Sequence, residues 1–338
     1  RAHHARLIDN LAAMQAAAIL YDFVLPGASA PPQDQRLVEA VRSAGNVYLG
    51  LVLRIAPPGD PGEGRGRGLD IWRLPASAAG EGYFRGLDPV VTFPELTAAS
   101  RGTGFLTLQP DPDGVFRRLP LLVRFGEGYC PSFALRVVCD FLQVPPEGVA
   151  LEPGRIVLRG AVRPGRGRPF DLMIPVDARG RLRVNFLGPW GAMTHYHFSD
   201  IYRASEDRDA LEIWRDELAG RIVLVSDVST GSADVGPVPT DPEFPLSGVH
   251  ANAVNTLLSG AFLREAPPWA GLLLEGLLLL VVMALSGRLS APIFTLGSLA
   301  AGGGYLLGVG AALAYGSLLL PVVRPIALLL AALIGLLI

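Results

Sequence analysis

The chain has 338 residues, of which 50% are hydrophobic, 29 are Arg, none is Lys and 31 are acidic, for a net charge of −2. Of these 29 + 31 = 60 charged residues, only Glu275, Arg288 and Arg324 lie in the 73 residues from Ala266 to Ile338. That partition excludes both an all-membrane protein and a purely soluble one, and the lack of a basic cluster leaves nucleic acid no electrostatic footprint.

The opening segment His4–Ala17 spaces its apolar residues for a helix, and Ala18–Val24 (AILYDFV) follows as an apolar strand. After Pro31-Pro32 the spacing predicts a second helix over Gln33–Ser43, then a second buried strand over Asn46–Arg54. A β-α-β order of this kind implies a parallel pair with helical cover. Gly and Pro dominate Ala56–Gly82, which is read as a loop. Its Gly62, Gly64, Gly66 and Gly68 alternate without a P-loop Lys-Ser/Thr, so a phosphate cradle is not expected.

A strand at Val90–Phe93 and a short helix at Pro94–Ser100 come next, then a strand-turn-strand over Gly104–Phe125 reversing at Asp111–Gly114. The pattern continues with a helix at Ser132–Leu142, strands at Arg155–Arg159, Asp171–Pro175 and Leu182–Phe186, and a helix at Asp209–Leu218. A short apolar strand, Arg221–Val225, leads into the polar stretch Ser226–Asp234 and a helix from about Val249 to Ser259. Ligands of open α/β sheets bind outside the carboxyl ends of strands. The candidate ligand residues are therefore Asp227, Ser229, Asp234 and His250.

Three apolar segments, about 268–286, 293–319 and 325–338, read as membrane helices joined by short turns. The last run is too short for a full span, and the chain opens on Arg1 without an apolar anchor, so both ends are expected to be truncated. Glu275 stands inside the first span, where a lone carboxylate is read as facing the helix bundle in preference to forming a proton relay.

Cys130 and Cys139, nine residues apart on or beside one predicted helix, are too distant along its axis for a disulfide. His195 and His197 lack a third ligand, and neither a Gly-x-Ser-x-Gly elbow nor a metalloprotease pair of histidines occurs. A triad drawn from Ser226, Ser229 or Ser232 with Asp227, Asp234 and His250 is the enzymatic alternative: a membrane-anchored extracytoplasmic serine hydrolase. No cofactor or metal site is expected.

The opening RAHHARLIDNLAAMQAAAILYDFVL, the turn DPDGVFRRLPLL with Asp113, Gly114 and Arg117, and the segments HFSDIYRA, RIVLVSDVSTGSADVGPVPT and SGVHANAVNTLLSGAFLREAP occur in one order along Arg1–Pro267. Together they resemble the second CHASE-type sensory domain family of bacterial transmembrane sensors. Ser226-Asp227 stands where that family often has Gly. The resemblance implies an α/β domain at 1–265, a mixed sheet flanked by helices, followed by an all-α transmembrane block at 266–338. It also implies a non-enzymatic sensory segment, extracytoplasmic and tied by several spans to the bacterial inner membrane. Its expected partners are a small-molecule or environmental signal, the lipid bilayer, a cytoplasmic cyclase or kinase output domain in the same polypeptide, and a second copy of the chain as a homodimer candidate. Asp113, Gly114 and Arg117 are expected to be structural turn residues, with Arg117 pairing a carboxylate.

Overall fold

The computed structural model describes residues 1–338 apart from 61, 63, 65, 67, 76–79, 230–233 and 338. The chain divides into two units, Arg1–Gly260 and Ala261–Ile338.

The first unit starts with helix α1 (Ala2–Ala13), whose buried face is Ala5, Leu7, Ile8 and Leu11. Strand β1 (Ala18–Tyr21) is buried at all four positions, as the central strand of a sheet covered on both faces must be. Helix α2 (Pro31–Ala44) begins with two prolines, which need no amide donor in the first turn, and ends at Gly45 in the left-handed conformation. Its first turn is tied down by Asp34, which pairs with Arg1 and accepts the Ser29 amide at 2.6 Å. Strand β2 (Val47–Ala56) then pairs with β1 in parallel, so the β-α-β reading of the opening holds.

Strand β3 (Arg85–Val90) runs antiparallel to β2, and helix α3 (Pro94–Ala99) leads to β4 (Gly102–Phe105), parallel to β2. The turn at Asp111–Gly114 forms, with the Gly114 amide donating to the Asp111 carbonyl at 2.8 Å. The strands on either side of it do not pair as a hairpin, which corrects the strand-turn-strand expectation. Instead β5 (Arg118–Pro120) pairs elsewhere, while β6 (Leu122–Phe125) joins β3 and β7 (Gly128–Pro131). Turn residues encode a reversal, but burial decides which strand each arm meets.

Helix α4 (Phe133–Phe141) is capped by Ser132, whose hydroxyl accepts the Leu135 amide. Strands β8 (Val149–Glu152), β9 (Arg155–Arg163) and β10 (Arg166–Pro175) form a separate antiparallel sheet. Strand β11 (Arg181–Arg183) returns to pair with β5. Helices α5 (Phe198–Arg203) and α6 (Arg208–Leu218) precede β12 (Ile222–Val225), which lies parallel to β1. The hairpin of β13 (Val235–Val238) and β14 (Asp241–Pro245) precedes helix α7 (Ser247–Ser259).

The main sheet thus runs β12-β1-β2-β3-β6-β7, with β4 branching from β2. One face carries a hydrophobic core in which α1, α2 and α3 pack on Ile19, Tyr21, Val47 and Leu49. The other carries α4, which packs against α7. A Cβ on Gly104 would stand 2.5 Å from the Phe133 Cα and 2.7 Å from its amide nitrogen, so this β4 position admits only glycine beside the start of α4. Gly104→Ala is expected to cost about 2 kcal/mol by overpacking, read as a lowered thermal midpoint.

One further expectation is met in detail. Cys130 on β7 and Cys139 on α4 are free and buried, and burial pushes both thiols well above the ordinary range. The alternating glycines have a packing reason: a Cβ on Gly64 would meet the Gly86 carbonyl at 2.6 Å and Phe125 at 2.7 Å, and one on Gly66 would meet Pro89 at 2.6 Å. Gly64 and Gly66 thus lie close against Gly86, Pro89 and Phe125.

In the second unit a two-residue parallel bridge joins β15 (Arg264–Glu265) to β16 (Leu318–Leu319). Helices α8 (Pro268–Ser286) and α9 (Ala291–Gly316) contain stretches of mean hydropathy 2.1 and 1.4 and are long enough to cross a membrane. Helix α10 (Val323–Leu337) is apolar but shorter. The three pack through Leu278, Val282, Phe294, Leu329 and Leu333. Glu275, 6% exposed, is paired by Arg324 of α10 at 3.0 Å, so this carboxylate faces a neighbouring helix and has its counter-ion.

Candidate functional site

Strands β12, β1, β2 and β4 all run in the same direction, so their carboxyl ends share one edge of the sheet. At β1 the chain leaves towards β2 on one side while β12 lies on the other, the arrangement that opens a crevice in α/β folds. Tyr21-Asp22 and Val225-Ser226-Asp227 stand side by side at that edge, on neighbouring strands. The Asp22 amide donates to the Val225 carbonyl at 2.9 Å, which extends the β1–β12 ladder one residue beyond the strands.

Sequence reasoning passed over Asp22, because inside AILYDFV it reads as one polar position in an apolar strand. Burial first, and then the charge of Asp234, push its carboxyl up to about 7. A carboxyl held there keeps its proton near neutrality, as groups with chemical or switching roles often do. Asp234 is exposed, and its backbone carbonyl accepts the Leu246 amide at 2.9 Å, one residue before α7.

Ser226 and Ser247 hydroxyls lie 3.1 Å apart, so the exit of β12 is clamped to the first residue of α7. Asp227 accepts the Ser229 amide at 2.9 Å in a local turn on the exposed rim. The Ser229 hydroxyl and amide hold the Asp227 carboxyl below its ordinary value. Asp227 and Ser229 therefore stand together, and Asp234 stands with Asp22.

His250 is elsewhere. It is 3% exposed, places Nε2 3.0 Å from the Leu106 carbonyl and meets the Phe133 ring edge-on at 6.1 Å. A carbonyl only accepts, so Nε2 carries the proton. Burial, opposed by that hydrogen bond, pushes the imidazole down to about 4. His250 thus joins α7 to the segment after β4 as a neutral core residue, and its Nδ1 is buried without a hydrogen-bond partner among the described residues.

For the hydrolase alternative, no hydrogen bond between a serine hydroxyl and His250 forms among the described residues, and Ser232 lies outside them. His195 stacks on Trp190 at 5.2 Å and places Nδ1 2.9 Å from the Met193 carbonyl, while His197 precedes α5. Among the described residues, no group of three or more His, Cys, Asp or Glu could hold a metal ion. In the Asp111–Gly114 turn, Arg117 pairs with Asp113 at 2.8 Å and approaches Asp111 at 3.7 Å, which names its carboxylate partners.

No curated protein and no solved structure matches the chain. The CHASE2 domain family matches over residues 1–286, a stretch that runs through the whole α/β unit and includes α8. The match covers the α/β unit together with the apolar helix that follows it, and the chain belongs to the CHASE2 domain family of extracytoplasmic, non-catalytic sensory domains.

Proposed function

We propose that Arg1–Gly260 receives a small-molecule or environmental signal in the crevice between β1 and β12, as the input portion of a bacterial transmembrane signalling protein. The signal passes along the polypeptide from α7 to α8–α10, which form a multi-pass anchor in the inner membrane, and on to a cytoplasmic output domain of the cyclase or kinase class. The observation that carries this reading is the Ser226–Ser247 contact, which couples the end of β12 to α7, the last helix before the apolar segments in sequence. A ligand changes output only by its differential affinity for two states of this connection. Asp227, Ser229 and Asp234 on the rim, with Asp22 beneath, are the groups available to it. Nothing in this reading requires bond-making in the segment.

The combined Asp227→Asn and Asp234→Asn variant is expected to lower the signal response of the full-length protein at least tenfold, with a thermal midpoint within about 3 °C of the parent because both side chains are exposed. Signal-dependent output is measured in cells and the midpoint on purified protein. An unchanged dose–response curve with normal folding would remove the crevice from consideration.

A further inference from the structure

The segment after the glycine-rich loop meets β7 in an antiparallel bridge: the Trp72 amide donates to the Tyr129 carbonyl at 2.8 Å and the Tyr129 amide to the Trp72 carbonyl at 2.9 Å. That register sets Arg73 across from Gly128, beside the Gly126-Glu127 turn that joins β6 to β7. Trp72 is buried, so the alternation of an extended chain sends Ile71 and Arg73 to the opposite face. A Cβ on Gly128 would stand 2.7 Å from Ile71 and 2.8 Å from the Trp72 carbonyl, so only bare backbone fits there. The result is a cavity of about 390 Å³, a size that takes a small molecule. Its walls are backbone at Gly64, Gly66 and Gly128 and the side chains of Ile71 and Phe125.

Among the described residues the charged groups of this cavity are Arg73 and Glu127. Neither makes an ion pair or a side-chain hydrogen bond there, with the other or elsewhere. The carboxylate three residues before Arg73, Asp70, is already held by Arg136 at 2.6 Å and by the Thr103 amide at 3.0 Å. One cation and one anion, unpaired in a single concavity with apolar walls, match a ligand that carries both charges itself. A guanidinium takes a carboxylate in two-point contact, a carboxylate takes an ammonium, and Ile71 and Phe125 offer contact to an aliphatic chain. A singly charged ligand satisfies only one of the two. Both side chains are exposed, so each ion pair is modest and affinity rests on making both at once.

We propose that this cavity binds an aliphatic α-amino acid as its zwitterion, with the carboxylate on Arg73 and the ammonium on Glu127. The site shares no residue with the β1–β12 crevice and its test needs no signalling output, so its failure leaves the proposed function standing.

The full chain in detergent is titrated by calorimetry at constant ionic strength with leucine, with N-acetyl-leucine, which lacks the ammonium, and with leucinamide, which lacks the carboxylate. Leucine is expected to bind saturably and roughly fivefold tighter than either analogue, the size of one exposed ion pair. Arg73→Gln is expected to bind leucine no tighter than leucinamide, and Glu127→Gln to bind leucine no tighter than N-acetyl-leucine. A residue with a merely structural role would not exchange one preference for the other in this way. Both positions are exposed, so thermal midpoints within about 3 °C of the parent are expected and show that the fold is kept. The combined Asp227→Asn and Asp234→Asn variant is expected to bind leucine as the parent does; loss of leucine binding there would put the ligand in the crevice and overturn the proposal. Absence of saturable leucine binding to the unmodified chain overturns it as well. So does leucine binding that stays selective over both analogues in the folded double variant of Arg73→Gln and Glu127→Gln.

Discussion

Asp22→Asn is expected to make the chain more stable at pH 8 by about 3 kcal/mol and to leave it unchanged near pH 3. Moving a carboxyl from 3.8 to about 7 costs the folded state about 1.4 kcal/mol for each factor of ten, and solvent reaching this partly buried side chain trims the total. The direction follows from which state loses its proton first. Below the ordinary carboxyl value both states are protonated and Asp22 contributes nothing. As pH rises towards 7 the unfolded chain ionises while the folded one keeps its proton, so stability falls across that window and then levels off. Asparagine keeps the shape and removes both the ionisation cost and the repulsion with Asp234. Denaturant unfolding of the detergent-solubilised chain between pH 3 and 8 measures the gap between parent and variant. A gap that did not widen with pH would show that Asp22 is already ionised in the folded protein.

His250→Ala is expected to cost about 4 kcal/mol at pH 7. It strands the Leu106 carbonyl without its donor and opens a cavity beside Phe133 where α4 meets α7. The cost shrinks in acid. The unfolded histidine takes up a proton below its ordinary 6.5, whereas the buried imidazole does so only near 4, so parent stability falls as pH drops through that window and the alanine variant escapes the fall. The unfolding free energies of parent and variant should therefore converge by about 3 kcal/mol between pH 7 and 4. Asp22 and His250 act in opposite directions over nearly the same range. Their effects partly cancel in the parent, and each single variant exposes the other: Asp22→Asn should unfold more steeply in acid than the parent. Parallel pH profiles for parent and His250→Ala would mean that the imidazole titrates freely.

Much of the fold was legible because its signals are local. The drop in charge after Ala266 follows from what lipid tolerates, residue by residue. The parallel opening of β1, α2 and β2 follows from a Pro-started amphipathic helix between two apolar runs. The Asp111–Gly114 turn was read from its own residues, yet its arms find partners in β11 and in the β3–β6–β7 group, because pairing is chosen by burial against distant strands. The candidate site divides along the same line. Asp227 and Ser229 belong to a local turn and were visible as such, and Asp234 was visible as a rim residue after β12.

His250 was placed with the polar loop because it lies near that loop in sequence, but one helical turn into α7 carries it onto the buried face against Phe133. Asp22 was overlooked because its environment is made by β12, far along the chain. Arg118 and Arg183 meet only through the register of β5 with β11. Composition and periodicity thus determined the class, the apolar C-terminal helices and the edge of the sheet where the parallel strands end. Which carboxylate is buried, which histidine is neutral and where arginines gather were decided by tertiary structure, since proton affinity and charge repulsion depend on distance and desolvation in space and not on separation along the chain.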